Sequence, residues 1–213
     1  MDCPFEECRS SLKPWNAATN FSGPSLSVKF AVNAGIILSD TSVLEFGAGN
    51  LRNALYVLRM LPNVRYNVVE IAEVIDRFRS NYTDFEQLGG FILQSLPLKR
   101  TFDVIVCTFV LETICPSSKR LQTLQLIAGK LKEGGTLVAS FRGWPGVKGT
   151  KYNQCQAREG FITPLKTFVK PFSLPEVEEL LHDSNFNDIE TIKKYRTVSP
   201  QNIHILAKVR GRL

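Results

Sequence analysis

The sequence contains no uninterrupted apolar run of the ~18 residues that a helix needs to cross a bilayer, which excludes a membrane-spanning chain. Its first residues, Met-Asp-Cys-Pro-Phe, lack the basic start and the apolar core of a secretory signal. It also lacks internal repeats and low-complexity segments, which excludes a fibrous repeat protein. We therefore expect a globular protein that is not secreted.

Cysteine is sparse and odd in number, with five residues at positions 3, 8, 107, 115 and 155. This pattern makes a disulfide framework improbable, and it predicts the reducing cytoplasm as the compartment. Cys3 and Cys8 form a C-x4-C pair without a second pair at ligand spacing, so no metal site is predicted. Cys107 lies in an apolar run and is expected to be a small buried side chain rather than a nucleophile.

The composition that remains is that of an ordinary globular protein. Of the 213 residues, 44% are hydrophobic and 22% are charged, which provides for one substantial core and argues against disorder. The length fits a single domain over residues 1–213. We divide it into a lead-in with a helix (1–40), a core of strands and helices (41–141), a cap-like excursion rich in glycine and proline (142–171), and a final helix with two strands (172–213).

The net charge of +6 is unevenly distributed along the chain. Almost all of the basic excess falls in residues 142–170 and 193–213, and an acidic stretch over 171–192 separates them. A basic surface attracts phosphate-bearing partners such as nucleic acid, but a solvated surface that the neighbouring acidic stretch partly neutralises is the more common case. Both interpretations stay open at this point.

Apolar residues alternate between two periodicities, which predicts strands and helices in turn. The predicted strands lie at residues 41–46, 66–70, 91–93, 102–107, 136–141, 188–192 and 203–208. The predicted helices lie at about 25–38, 51–61, 72–78, 117–132 and 174–182, and the capping-box pair Ser173 and Glu176 opens the last one. Strands that alternate with helices form a parallel sheet covered on both faces. We therefore predict an α/β fold: a doubly wound, mostly parallel seven-stranded sheet with a C-terminal antiparallel hairpin and helices on both faces.

The most informative segment is the turn Gly47-Ala48-Gly49, between the first predicted strand and its helix. Glycine lets the backbone take left-handed angles and lets a ligand approach without a side chain in the way. Glu70 ends the second strand, so it is expected beside this turn, where its carboxylate can accept hydrogen bonds from both hydroxyls of a ribose. Glu45, just before the glycines, suits a ligand with a positively charged end. These residues predict a nucleotide-type site.

The stretch Val43-Leu-Glu-Phe-Gly-Ala-Gly49 resembles motif I of the class I (Rossmann-like) S-adenosylmethionine-dependent methyltransferases. The resemblance covers about residues 25–141 and includes Val-Val-Glu70, Leu93-Gln-Ser-Leu-Pro97, Phe102-Asp-Val-Ile-Val-Cys107 and the turn before the fifth strand. It implies S-adenosylmethionine as the cofactor. By their match to the family's motifs, the residues implied to bind it are Glu45, Phe46, Gly47, Ala48, Gly49, Glu70, Ile71, Gln94, Ser95, Thr108 and Phe109.

The sequence departs from the family pattern at two positions. Leu51 replaces the third glycine of motif I, and Gln94 replaces the acid that binds the adenine amine, although its side-chain oxygen can still accept from that amine. A nicotinamide-dependent oxidoreductase is the main alternative enzyme class, and it is disfavoured because Arg52 occupies the third glycine of its fingerprint. A non-catalytic scaffold or sensor that binds the cofactor stays an alternative.

The methyl acceptor is predicted only in outline. The motifs Asn/Asp-Pro-Pro-Tyr/Phe and Pro-Cys, which DNA methyltransferases use on a base, are absent after the fourth strand. The resemblance places the acceptor near Glu112, a candidate base, and near Arg142 and Trp144; His182 and His204 are poor candidates for a base. The Lys and Arg residues of the excursion favour an acidic acceptor. A small molecule is predicted over RNA, because the chain has no appended binding module and a cap over a pocket suits a small ligand.

Overall fold

The computed structural model describes residues 12–18, 23–144, 153–154, 160–193 and 201–210. The Cys3–Cys8 pair lies outside these ranges, and so do three of the basic residues counted in the excursion, Lys148, Lys151 and Arg158.

The described chain forms two sheets. Its strands are β1 (Ser42–Phe46), β2 (Arg65–Val69), β3 (Phe91–Leu93), β4 (Phe102–Thr108), β5 (Leu131–Arg142), β6 (Asn153–Gln154), β7 (Phe161–Ile162), β8 (Phe168–Val169), β9 (Phe186–Thr191) and β10 (Asn202–Val209). The main sheet has the order β3-β2-β1-β4-β5-β10-β9, in which β10 is antiparallel to both of its neighbours and the other pairs are parallel. This architecture confirms the predicted fold class.

Helices cover both faces of the main sheet. They are α1 (Leu26–Asn33), α2 (Arg52–Met60), α3 (Ala72–Arg77), α4 (Arg79–Gln87), α5 (Ser117–Ala128) and α6 (Leu174–Asp183), with short 3-10 turns at Pro14–Ala17 and Leu111–Thr113. Side chains alternate along a strand, so Val43 packs in one core with α1, α2 and α4, whereas Leu44 packs in a second core with α5 and α6. Among the helices of the described ranges, none is both long and apolar enough to cross a membrane.

The carboxyl ends of β1, β2, β4 and β5 lie at one edge of the main sheet, and the antiparallel β10 begins at this same edge. The small antiparallel sheet β6-β7-β8 belongs to the excursion. After β8 the chain contacts this edge through two backbone hydrogen bonds, from Lys170 N–H to the Glu112 carbonyl (2.8 Å) and from Phe172 N–H to the Arg142 carbonyl (2.9 Å). The described part of the excursion thus packs onto the loops that follow β4 and β5.

Two predicted helices are too long. The helix predicted over 25–38 ends at Asn33, because the amides of Ile36 and Ile37 bond back to the Ala31 carbonyl and turn the fully buried Ile37 into the core. The helix predicted over 117–132 ends at Ala128, and β5 begins at Leu131, which pairs with Phe102 of β4. In both segments, contacts made by apolar residues override the local helical period.

The sequence analysis also missed helix α4. Only Tyr82 and Phe85 are buried in it, and the rest of the helix is polar, so the apolar period that indicates a helix is almost absent. By contrast, the capping box that opens α6 is confirmed: the Ser173 hydroxyl accepts from the Glu176 amide, and the Glu176 carboxylate accepts from the Ser173 amide at 2.7 Å.

Candidate cofactor-binding site

The turn after β1 has the backbone that two glycines allow. Gly47 has a φ of +71° and Gly49 a φ of +56°, and Leu51 continues in the left-handed region at +63° before α2 begins. The Gly47 amide donates to the Val69 carbonyl at 2.9 Å, which ties the turn to the end of β2. The Val110 side chain packs over Gly47, so closely that an added Cβ would lie 2.5 Å from Val110 Cγ2. A side chain at position 47 is therefore excluded by both conformation and space.

Glu70 lies directly beside this turn, as the sequence predicts. One carboxylate oxygen accepts from the Gly49 amide at 2.7 Å, and the other accepts from the Ile71 amide at 2.8 Å. Burial raises the pKa of Glu70, and these two amides offset part of that rise. Each oxygen has two lone pairs, so the carboxylate retains the capacity to accept from a ligand hydroxyl.

Glu45 lies beneath the turn and points into the protein. It is 1% exposed; its two oxygens accept from Asn53 Nδ2 at 2.7 Å and from the Tyr66 hydroxyl at 3.0 Å. Burial raises its pKa to about 7, while the hydrogen bonds from Asn53 and Tyr66 favour the ionised form and limit the rise. Direct contact between Glu45 and a ligand stays a prediction; what the structure shows is a buried carboxylate that holds α2 and β2 against β1.

Asn53 is the residue that joins these elements, and the sequence analysis missed it. Its amide donates to Glu45 and to the Thr108 hydroxyl (3.0 Å), and its oxygen accepts from the Ser25 amide at 2.7 Å. The side chain is 2% exposed. A signal was present: Asn53 is a polar residue in the first turn of α2, on the face that Ala54 and Val57 turn towards the core.

The polar contacts continue from α1 across the sheet to β10. The Ser25 and Ser27 hydroxyls lie 3.2 Å apart, the Ser27 and Ser140 hydroxyls 2.7 Å apart, and Ser140 Oγ lies 2.9 Å from His204 Nδ1. Burial lowers the pKa of His204 to about 4, so its ring is neutral near pH 7. A continuous series of buried polar contacts therefore runs beneath the site, from Tyr66 to His204.

The remaining predicted cofactor residues occupy neighbouring loops at the same edge. Gln94 and Ser95 are exposed and directly follow β3, whose Leu93 pairs with Val69 next to Glu70. Phe109 follows β4 with a φ of +59°, and its amide donates to the Ser140 carbonyl at 2.8 Å. The structure therefore brings the loops after β1, β2, β3 and β4 to one edge, as the sequence predicts.

On the presumed acceptor side, Glu112 is 1% exposed in the 3-10 turn after β4. Neither of its carboxylate oxygens makes a hydrogen bond of good geometry within the described residues. Burial raises its pKa to about 7; the backbone N–H groups of Glu112 and Arg142 and the charges of Arg142 and Arg120 offset only part of this rise. Trp144 is 45% exposed, and it packs edge-on against the ring of Phe161, with the ring centroids 6.2 Å apart.

The thiol at Cys107 is fully buried in β4, and burial raises its pKa, which agrees with the predicted role as a small apolar side chain. His182 lies in the last turn of α6, remote from this edge in the fold. Within the described ranges, no group of three His, Cys, Asp or Glu side chains is arranged to hold a metal ion.

Comparison with known proteins identifies the domain. A family model described as a methyltransferase domain matches residues 44–137. Among solved structures, the CcbJ methyltransferase of Streptomyces caelestis superposes with a TM-score of 0.69 at 13% identity, over 94% of this chain and 98% of that one. An S-adenosylmethionine-dependent methyltransferase of Clostridium acetobutylicum gives 0.63 at 14% identity, over 98% and 96%. No curated protein matches the sequence significantly.

The human N-acetylserotonin methyltransferase, solved in complex with S-adenosylmethionine, gives a TM-score of 0.58 at 19% identity. The match covers 88% of this chain but only 54% of the human one. Structural likeness at these identities establishes the shared fold, and the matched family domain begins in β1 and ends in β5, so it includes the glycine turn and Glu70.

The packing of Val110 on Gly47 leads to a first prediction. Gly47→Ala and Gly134→Ala both place a Cβ on a left-handed residue, at a strain of roughly 1–2 kcal/mol, but no atom lies within 4 Å of the added Cβ at Gly134. Gly47→Ala should therefore lower the free energy of unfolding by about 1–3 kcal/mol more than Gly134→Ala, the usual range for overpacking. Urea unfolding of both variants measures this, and equal losses would contradict the contact.

The buried carboxylate of Glu45 leads to a second prediction. The unfolded chain ionises Glu45 near pH 4.5, whereas the folded chain holds the proton until about pH 7. Between these values the folded state binds more protons, so the stability that Glu45 contributes falls as pH rises through this window. Relative to Glu45→Gln, the wild type should lose free energy of unfolding from pH 4.5 to pH 7. Urea unfolding at pH 5, 6 and 8 checks this, and a difference that does not vary with pH would refute it.

Proposed function

We propose that this chain, whose residues 44–137 match a methyltransferase domain and whose fold is shared with methyltransferases, binds S-adenosylmethionine at the glycine turn and transfers its methyl group to a small-molecule acceptor. The observation that carries the proposal is the hydrogen bond from the Gly49 amide to the Glu70 carboxylate, at 2.7 Å. It holds a ribose acceptor against a turn whose backbone is open to a ligand. We further propose that residues 1–213 act as one domain.

The residues present fit this cofactor. At Gly49 an added Cβ would meet only the Ala18 Cβ, at 3.9 Å, so the outer side of the turn leaves room for a ligand. Glu70 would accept from the ribose hydroxyls, and the exposed Gln94 and Ser95 would accept from the adenine amine. Phe46 and Thr108, the last residues of β1 and β4, and the loop residues Ala48, Ile71 and Phe109 complete the proposed contact set.

In this proposal Glu45 acts on the cofactor from beneath the turn. Its carboxylate is buried and bonded to Asn53, and Asn53 also fixes the Thr108 hydroxyl. In its ionised form, above the pKa of about 7, Glu45 would favour the positively charged methionine end of the cofactor, because the protein interior screens charge less than water does. Asn53 would thus hold the Thr108 hydroxyl in a fixed orientation relative to Glu45, without contacting the ligand itself.

When bound, S-adenosylmethionine would supply an activated methyl group for transfer to the acceptor. The protein then has two tasks: it aligns the acceptor, and it removes the acceptor's proton where there is one. Glu112 is the candidate for the second task, because a carboxyl with a pKa of about 7 is poised to accept a proton near neutral pH. Arg142 would stabilise the ionised carboxylate by its charge.

Support for a small acceptor comes from the proteins that share this fold, since the human neighbour is named for the small molecule N-acetylserotonin. The number of basic residues in the excursion overstates the support for RNA as the acceptor. Of those that the structure describes, Lys170 is paired with Glu176 at 2.8 Å and lies over the Phe172 ring. RNA remains the alternative acceptor to be tested.

The contribution of Glu70 can be measured directly. Glu70→Gln keeps the size of the side chain but removes the charge, and it should weaken binding of S-adenosylhomocysteine by about 1–3 kcal/mol, the range for a charged hydrogen-bond partner. Isothermal titration calorimetry gives the affinity. The control is Glu73→Gln, an exposed glutamate in the first turn of α3, which should bind like the wild type. Unchanged affinity in Glu70→Gln would remove this residue from the site.

Transfer itself is tested with methyl-labelled S-adenosylmethionine and a cell extract that contains both metabolites and RNA. We expect label in the small-molecule fraction, and its appearance should decrease in Glu112→Gln if the acceptor must lose a proton. Label in the RNA fraction would replace the small-molecule acceptor with a nucleic acid. Intact cofactor binding without any transfer would favour the scaffold or sensor.

A further inference from the structure

A cavity of about 240 Å³ lies at the same edge of the sheet, beyond β5. Its wall is formed by the residues after β5, the end of β9, the start of β10 and the residues that open α6. The lining side chains include Trp144, Phe172, Leu174, Ile192 and Ile203, which are apolar, and Ser173, Thr191, Asn202 and His204, which are polar. Sequence analysis placed only Trp144 near the acceptor and did not identify the other walls.

The cavity adjoins the proposed cofactor site through one pair of rings. His204, in its wall, meets Phe109 edge-on, with ring centroids 6.4 Å apart. Phe109 directly follows Thr108, which is bonded to Asn53 below the glycine turn. The orientation of His204 is set on its other side by the hydrogen-bonded contact with Ser140. A ligand in the cavity would therefore lie next to the loop after β4.

Among the described residues, none of the side chains that line the cavity carries a charge near pH 7. Burial holds the pKa of His204 at about 4, so this ring contributes a neutral wall. Three described bases lie close to the lining residues in sequence. Lys170 pairs with Glu176, Arg142 acts electrostatically on the buried Glu112, and the exposed Lys193 follows Ile192 without being one of the lining residues. A charged ligand would lose its hydration here without gaining an opposite charge, which is unfavourable in a largely apolar wall.

The volume limits the size of the ligand. A dry cavity of about 150 Å³ accommodates benzene, and pockets for drug-sized ligands begin at about 300 Å³. At about 240 Å³ this cavity fits one aromatic ring or two fused rings. The indole of Trp144, which is 45% exposed, offers a flat surface to such a ligand, and the Thr191 hydroxyl offers a hydrogen-bonding group.

We infer that this cavity is the acceptor pocket, and that it selects an uncharged acceptor with one or two rings. The inference rests on the proposed methyl transfer and deepens it. It departs from the acidic acceptor that the charge of the excursion predicts, because the described bases of the excursion, Arg142, Lys166 and Lys170, do not line the cavity.

The experiment compares indole with indole-3-carboxylate, which share a ring system and differ in charge. Binding of each is measured by ligand-observed NMR to protein saturated with S-adenosylhomocysteine. We expect indole to bind at least tenfold more tightly than the carboxylate. Leu174→Trp fills the cavity and should weaken indole binding at least tenfold, whereas Leu126→Trp, at a half-exposed leucine on α5, should leave it unchanged.

Thr191→Phe fills the cavity from β9 and repeats the test should Leu174→Trp fail to fold. Equal or tighter binding of the carboxylate, absence of indole binding, or indole binding that survives cavity filling would each overturn the inference. S-adenosylhomocysteine affinity is measured in the same variants and should not change. Failure to bind S-adenosylhomocysteine at all would count against the proposed function instead, and the comparison of indole with its carboxylate would still decide the chemistry of the cavity.

Discussion

A buried carboxylate is the constraint on which the cofactor edge of this fold depends. Moving a charged carboxyl out of water costs several kcal/mol on the order-of-magnitude scale for buried ions, and it is tolerated only when its lone pairs are satisfied. Glu45 meets this condition through Asn53 and Tyr66, which come from α2 and β2. Since Asn53 can satisfy Glu45 only in one orientation, its remaining donor and acceptor are directed at Thr108 and the Ser25 amide. One electrostatic requirement thereby positions β1, β2, β4, α1 and α2 relative to each other.

Apolar packing explains how the turn accommodates Leu51 where motif I of the resembled family has its third glycine. Leu51 adopts the left-handed backbone that glycine normally provides, which strains a leucine by roughly 1–2 kcal/mol. Its side chain is fully buried among the residues that pack α2 on the sheet, and that burial stabilises the fold by about 1.5–3 kcal/mol. The stabilisation from burying the Leu51 side chain is thus similar in size to the strain of its backbone, and the turn keeps its shape.

Sequence predicted well those elements whose signal is local. β4 is an almost unbroken apolar run, the glycine turn carries its own conformational signature, and Glu70 follows from the geometry of adjacent parallel strands. Sequence analysis failed for features that depend on contacts between residues far apart in the chain. The role of Asn53 depends on Glu45 and Thr108, which only the fold places beside it, and the pairing of Lys170 with Glu176 is likewise set by tertiary contacts. Charge counted along a chain does not reveal which side chains reach a pocket.

The position of β10 bears on how the chain acquires its structure during synthesis. β10 lies between β5 and β9, and its register pairs residues 202–208 with residues 136–142 of β5. Until residues 202–209 leave the ribosome, β5 and β9 each present an open strand edge, and apolar side chains such as Phe141 lack part of their cover. Chaperones that shield unpaired edges should therefore engage the nascent chain after β5 is made, and release it only when its last strand inserts.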